Sequence, residues 1–150
     1  MRIALHQPDQ PGNVGAILRL GACLGVGIDV IEPCGFPFAH RSLKRVGMDY
    51  VEAASVVRHA NWEAFRAAAP GRVVLLTTAG GMRIDEAQFE PSDTLLMGSE
   101  SDGVPAQVHD AADLRVRIPQ AAGTRSLNIA VAAGIALAEA LRQTNGFPPS

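Results

Sequence analysis

The chain has little of what marks several common protein classes. Its 150 residues include only two cysteines, too few for a disulfide framework and without metal-ligand spacing. We therefore expect Cys23 and Cys34 to be reduced thiols that are buried or partly buried. Its longest apolar run, within 127–141, is interrupted by Asn128 and Glu139 and is shorter than the roughly 18 residues that predict a membrane span. The N-terminus leads into a strand pattern and shows no basic, apolar signal segment, which favours a cytoplasmic location.

Positive charge and aromatic side chains are also scarce. The net charge is −2 and the isoelectric point is about 6.0, unlike the basic balance of most nucleic-acid-binding domains. Any RNA contact must therefore be local, and the strongest candidate is the basic cluster of Arg41, Lys44 and Arg45. Composition alone leaves that cluster open to two interpretations, a solvated surface or an RNA patch. The four histidines are scattered, none within helical reach of another ligand type, so no metal site is expected.

Apolar runs alternate with helical patterns along the whole chain. Short buried strands are predicted at Ile3–Leu5, Ile28–Ile31, Val73–Leu76, Leu95–Met97 and Leu114–Ile118. Helices are predicted from caps at Asn13 to Leu24, from Asn61 to Ala69, and from Ser126 to about Thr144. This alternation predicts one α/β domain over residues 1–150, with a mainly parallel sheet and helices on both faces.

Three small-residue segments follow predicted strands, as ligand-binding loops do in open α/β folds. They are 11–15 with Arg19 downstream, then 98–105, and finally 118–119 with 125–128. Because the carboxyl ends of parallel strands share one edge, we expect these loops to face one site. Each loop alone is equally compatible with a simple turn. The segment 98–105 is not a nucleophile elbow, because Ser99 occupies a required glycine position, and the chain lacks dinucleotide and phosphate-loop fingerprints.

These three segments resemble the three motifs of the SPOUT RNA methyltransferases. Further similarity extends over nearly the whole chain and is greatest to the TrmL group, which methylates the ribose 2′-hydroxyl of the tRNA wobble nucleotide. It is carried by Glu32-Pro33 with Gly35-Phe36, Leu43-Lys44-Arg45 with Gly47 and Asp49-Tyr50, and 139–143. The resemblance implies a C-terminal trefoil knot, S-adenosyl-L-methionine as cofactor, tRNA cytidine or uridine 34 as substrate, and a homodimer with a composite active site. No metal and no membrane partner are implied.

The resemblance also implies roles for individual residues. Cofactor-binding positions would be Leu76, Thr77, Gly98, Glu100, Ile118, Ser126 and Leu127, and catalytic positions would be Arg19, Asn13, Ser126 and Asn128. A guanidinium offers only donors, so Arg19 would hold a phosphate or stabilise a developing alkoxide. The 2′-hydroxyl proton would pass to water, to a phosphate oxygen or to Glu100. Gly98 would be required because the loop backbone must approach the ligand closely.

The sequence is also compatible with other functions. The chain could act on another RNA, could bind the cofactor without catalysis, or could be an ordinary metabolite-binding α/β protein. The small residues of the last predicted helix, such as Ala133, Gly134 and Ala136, indicate close packing. That packing is expected either on the chain's own sheet or against a helix of a second subunit.

Overall fold

The computed structural model describes residues 1–38 and 55–150. The basic cluster of Arg41, Lys44 and Arg45 lies outside the described residues, as does the similarity noted over 43–50. Within the described ranges the chain forms one parallel sheet of seven strands with helices on both faces. The predicted α/β class and parallel sheet are therefore confirmed. In the same ranges, no helix is both long and apolar enough to cross a membrane.

The strands are short, and every pairing between them is parallel. They are β1 (Arg2–His6), β2 (Gly27–Ile31), β3 (Val56–His59), β4 (Val73–Leu76), β5 (Met82–Arg83), β6 (Thr94–Met97) and β7 (Leu114–Arg117). Five of these match the predicted strands. The sequence analysis missed β3 and β5, because these edge strands expose much of their length and lack a buried apolar run.

The strand order is β3-β2-β1-β6-β4-β7-β5. The late strand β6 lies between β1 and β4, and β7 lies between β4 and β5, so both are inserted among strands formed earlier in the chain. This brings the carboxyl ends of β1, β6, β4 and β7 side by side at one edge of the sheet. The C-terminal trefoil knot stays a prediction.

Four helices cover the described sheet. They are α1 (Pro11–Leu24), α2 (Trp62–Ala68), α3 (Ala106–Ala111) and α4 (Ile129–Thr144). The predicted stop of α1 is correct, since Gly25 adopts a left-handed φ of 67°. The expected burial of Cys23 on this helix is wrong, because its position lies on the exposed side of α1, whereas Cys34 is partly buried as expected. The Asn61 side chain caps α2 as predicted, accepting from the Ala64 amide at 2.8 Å.

Two predicted caps are wrong. Helix α1 begins at Pro11 after Gln10, so Asn13 lies inside the first turn, where proline's fixed φ already suits the helix. Helix α4 begins after Asn128, whose side-chain oxygen accepts from the Ala130 and Val131 amides at 2.9 and 3.3 Å. Asn128 therefore has the capping role that the sequence analysis gave to Ser126, which lies exposed in the preceding loop.

The alternation of strand side chains divides the core into two clusters. Ile3, Leu5 and Leu95 face α1 and α4, whereas Ala4 and Leu96 face α2 and α3. The small residues of α4 partly serve this intramolecular packing, since Ala133, Ala136 and Ala140 are buried against the sheet and α1. The two interpretations of that helix are thus not exclusive, because α4 also keeps an exposed face.

Candidate active site

A cavity of about 630 Å³ lies at the carboxyl ends of β4, β6 and β7. Its walls come from the loop after β4, the 98–104 loop after β6 and the 118–128 loop after β7. Two of the three predicted motif loops therefore meet in one cavity. The residues predicted to bind a cofactor all line it: Leu76, Thr77, Gly98, Glu100, Ile118, Ser126 and Leu127.

The loop over residues 98–103 is bonded to itself. The Ser99 and Gly103 backbones exchange two hydrogen bonds of 3.0 Å, and the Asp102 amide donates to the Ser99 hydroxyl at 3.2 Å. A Cβ on Gly98 would lie 2.6 Å from the Gly103 carbonyl carbon. The structure thus gives a reason of its own for this glycine: Gly98 must be small because the loop closes on itself. The expected close approach of its backbone to a ligand stays a prediction.

The loop over residues 118–128 is held by hydrogen bonds between its own residues, and its last residues line the cavity. The Gln120 side chain donates from Nε2 to the Arg125 carbonyl at 2.7 Å and to the Thr124 hydroxyl at 3.3 Å. The Thr124 hydroxyl in turn donates to the Ala121 carbonyl at 2.7 Å. Residues 121–128 are all exposed, so this bracing, together with the Asn128 cap, holds Ser126 and Leu127 at the cavity wall.

The first predicted motif and Asp9, which precedes it, contact the other two loops through side chains. Asn128 donates from Nδ2 to the Asn13 Oδ1 at 3.0 Å, which ties α1 to the start of α4. Asp9, in the loop before α1, accepts from the Glu100 amide at 3.3 Å and from the Ser101 hydroxyl. Asp9, Asn13, Ser99 and Glu100 also line a smaller adjoining cavity. Three motifs far apart in the chain therefore form one connected site.

Arg19 occupies a different position. It lies on the exposed side of α1, two turns beyond Asn13, and does not line either of the two described cavities. Of the four predicted catalytic residues, Asn13, Ser126 and Asn128 are thus brought together at the cavities, while Arg19 lines neither of them. A role for Arg19 in catalysis requires a ligand or partner that reaches the outer side of α1.

The fixed charge of the main cavity is negative. Glu100 and Asp102 line it, and no lysine or arginine of the described residues does so. Hydrogen bonding to Ser101 lowers the pKa of Asp9, aided by the Glu100 and Ser101 amides, so a further anion stands beside this wall. Among residues 1–38 and 55–150 no group of three acidic, cysteine or histidine side chains could hold a metal. The arrangement is suited to a cationic ligand.

Sequence reasoning missed two residues of this site. Asp9 lies three residues after the end of β1 and could have been noticed as an acidic residue just before the first motif. His109 lies on α3 and lines the main cavity, and its buried Nε2 has no hydrogen-bond partner in the described part of the chain. Nothing in the local sequence indicates His109, because only the insertion of β6 and β7 brings α3 beside the third loop.

Comparison with known proteins gives consistent relationships. Residues 1–138 match the model of the SpoU rRNA Methylase family. A relative from Beijerinckia indica subsp. indica, named tRNA (cytidine(34)-2′-O)-methyltransferase, is 51% identical over 97% of this chain and 92% of its own length. A solved structure described as giving insights into the 2-OH methylation of C/U34 on tRNA is 38% identical, with a TM-score of 0.89, covering 95% of this chain and 94% of that one.

A more distant structure matches over part of a longer protein. The AdoMet-bound rRNA methyltransferase from Sinorhizobium meliloti is 36% identical, with a TM-score of 0.83, and the match covers 94% of this chain but 55% of that one. The family model spans most of the chain, and the parallel sheet with its inserted strands agrees with these structures. This chain belongs to the SpoU family of RNA methyltransferases.

Proposed function

We propose that this chain transfers a methyl group from S-adenosyl-L-methionine to the ribose 2′-hydroxyl of cytidine or uridine 34 of tRNA. The observation that carries the proposal is the 51% identity, across 97% of the chain, with a relative named for the cytidine reaction. The structure concerned with C/U34 on tRNA supports the same acceptor. A cytoplasmic location forms part of the proposal.

The main cavity fits this cofactor in size and in charge. Its volume of about 630 Å³ is within the range of roughly 300–1,000 Å³ that is typical of small-molecule sites. S-adenosylmethionine carries a sulfonium, an ammonium and one carboxylate, so it is a net cation near neutral pH. Glu100 and Asp102 attract such a ligand and repel the phosphates of nicotinamide or adenine nucleotides.

The cavity offers apolar groups and polar groups that would contact different parts of the cofactor. Leu76, Ile118 and Leu127 offer an apolar wall for a purine ring, and the backbone of the 98–103 loop offers N–H and C=O groups to its polar parts. Thr77 and Ser126 add hydroxyls at the rim. When bound, the cofactor supplies an electrophilic methyl group on its sulfonium sulfur.

Arg19 acts on the acceptor side of the reaction in this proposal. Its guanidinium remains charged and can only donate hydrogen bonds, so it binds a phosphate or stabilises negative charge developing on the 2′-oxygen. The Asn13–Asn128 hydrogen bond holds the third loop against α1 of the same protomer, which fixes that wall of the cofactor cavity.

A homodimer would bring Arg19 to a cavity. The outer side of α1 carries Ala16, Arg19 and Cys23, and the neighbouring α4 exposes Val131 and Ile135, which are 51% and 40% accessible. Exposed small and apolar side chains on two helices that pack against each other are suited to contact with a second copy of the same chain. We propose that Arg19 of each protomer completes the site of its partner.

The function is tested by methyl transfer to defined tRNA. Purified protein and labelled S-adenosylmethionine are incubated with a tRNA transcript, and with a matched transcript that has 2′-deoxyribose at position 34 and therefore lacks the acceptor. We expect label in the first transcript, located by nuclease digestion at nucleotide 34, and none in the second.

Two outcomes would overturn the proposal. Equal labelling of both transcripts would place the methyl group elsewhere on the tRNA. Labelling of ribosomal RNA with no labelling of tRNA would favour the alternative of another RNA substrate. The Arg19→Ala variant separates catalysis from cofactor binding. We expect it to transfer no methyl group to tRNA but to bind S-adenosylhomocysteine as tightly as the wild type does.

A further inference from the structure

We infer that Asp9 is a positioning residue for methyl transfer, because its carboxylate fastens the 98–103 loop to the start of α1. This inference rests on the proposed function and extends it to a residue outside the three motif matches. In physical terms, one side chain fixes the position of the 98–103 loop, which forms a wall of the cofactor cavity, relative to the rest of the protomer.

Both carboxylate oxygens of Asp9 are used, and both bonds reach the same loop. Oδ1 accepts from the Glu100 amide at 3.3 Å, and Oδ2 accepts from the Ser101 hydroxyl. The residues joined are more than 90 positions apart in the chain. Since the carboxylate is ionised, these are charge-assisted hydrogen bonds, which are stronger than bonds between neutral groups.

The 98–103 loop is a unit that such a contact can move or hold as a whole. Its Ser99–Gly103 backbone pair and the Asp102–Ser99 bond close it internally. An attachment at Glu100 and Ser101 therefore fixes the orientation of the entire loop. Glu100 lines both cavities, so its backbone lies at the boundary between the cofactor wall and α1.

The backbone of Asp9 is itself held in place by the chain segment that follows β2. The Gly35 amide donates to the Pro8 carbonyl at 2.9 Å, and a Cβ on Gly35 would lie 2.9 Å from the Asp9 Cβ. The chain after β2 thus packs directly on the Asp9 backbone. The carboxylate is a fixed anchor and the loop is the part that it positions.

The test uses Asp9→Ala, which removes both bonds, and Ser101→Ala, which removes the hydroxyl bond and changes no residue of the cavity wall. Glu86→Ala is the matched control, since it removes one exposed negative charge elsewhere. Because misplacement by about 1 Å can cost a factor of about 100 in rate, we expect kcat of Asp9→Ala to fall by at least ten-fold. A smaller fall is expected for Ser101→Ala, and none for Glu86→Ala.

A second readout does not depend on catalysis. Amide hydrogen exchange in the protein without cofactor should accelerate at Glu100 in Asp9→Ala, while the β6 amides keep their protection. In the double variant Asp9→Ala/Ser101→Ala, kcat should match that of Asp9→Ala alone, because the hydroxyl acts through the carboxylate.

The outcomes separate this inference from the proposed function. A wild-type protein that does not methylate tRNA 34 contradicts the proposed function, while faster Glu100 exchange in Asp9→Ala would still support the anchor. A wild-type protein that methylates tRNA, with unchanged kcat and unchanged Glu100 exchange in Asp9→Ala, overturns the positioning role. A rise in KM for tRNA alone, at constant kcat, would also overturn it, because it indicates a charge effect on RNA binding.

Discussion

Replacing Gly98 by alanine should disable the cavity through a single added methyl group. The new Cβ would lie 2.6 Å from the Gly103 carbonyl carbon and 2.7 Å from its Cα, whereas ordinary contact begins at 3.4 Å. Both atoms belong to backbone, so relief requires the two sides of the loop to separate by about 0.8 Å. A shift of this size breaks or lengthens the two 3.0 Å bonds between Ser99 and Gly103.

The size of the effect follows from those bonds. At about 1 kcal/mol for each net hydrogen bond, the variant should lose about 2 kcal/mol in free energy of unfolding. For a chain of 150 residues this corresponds to a fall in Tm of roughly 4–8 °C, so the protein should still fold. The loop that forms one cavity wall would be displaced, and we expect at least ten-fold weaker binding of S-adenosylhomocysteine.

Calorimetric titration with S-adenosylhomocysteine and thermal unfolding measure the two effects. Gly81→Ala is the matched control, because a Cβ on Gly81 has nothing within 4 Å. That control should bind as the wild type does. Binding by Gly98→Ala within two-fold of the wild type would refute the reasoning, since it would show that the cavity does not need the closed form of this loop.

Two further predictions concern assembly and pH. Arg19→Ala homodimers and Gly98→Trp homodimers should each be inactive, the latter because an indole at Gly98 would collide with the Gly103 backbone beside the cavity. Their co-expression should restore about a quarter of wild-type activity, because half the dimers are mixed and each has one intact site. Mixed dimers without such recovery would exclude a shared site. Burial lowers the pKa of His6 below its ordinary value of 6.5. The unfolded chain therefore takes up this proton first, and stability should decrease as pH falls below about 6.5, then level off below the folded pKa. His6→Asn should flatten that part of the Tm profile, and a His6 titration by NMR at or above 6.5 would contradict the assignment.

The fold class was predictable because the strands that form the centre of the sheet are continuously apolar. β4 and β6, for example, are completely buried on both faces, so their sequences carry an unbroken signal. The edge strand β3 carries no such signal, since Val57 and Arg58 are both exposed to solvent. The cap of α4 was misplaced by two residues, because Ser126 and Asn128 are both good capping residues and local sequence does not distinguish them.

For the candidate site, too, some features were predictable from the sequence and others were not. The residues of the second and third motifs were predictable as a group, because small and polar residues directly after buried strands must lie at the carboxyl edge of a parallel sheet. The contacts that join the motifs were not predictable. The Asp9–Ser101 and Asn13–Asn128 hydrogen bonds join residues about 90 and 115 positions apart, and no local pattern specifies such partners.

By itself, the sequence determined the alternation of strands and helices, the family resemblance and two of the loops that line the main cavity. These properties depend on apolar periodicity and on backbone freedom, which are local. Only the tertiary structure decided that β6 and β7 insert between earlier strands. It also decided that His109 lines the main cavity and Asp9 the smaller one, while Arg19 lines neither. Strand order is set by the packing of all side chains together, so residues distant in the chain become neighbours through the fold as a whole.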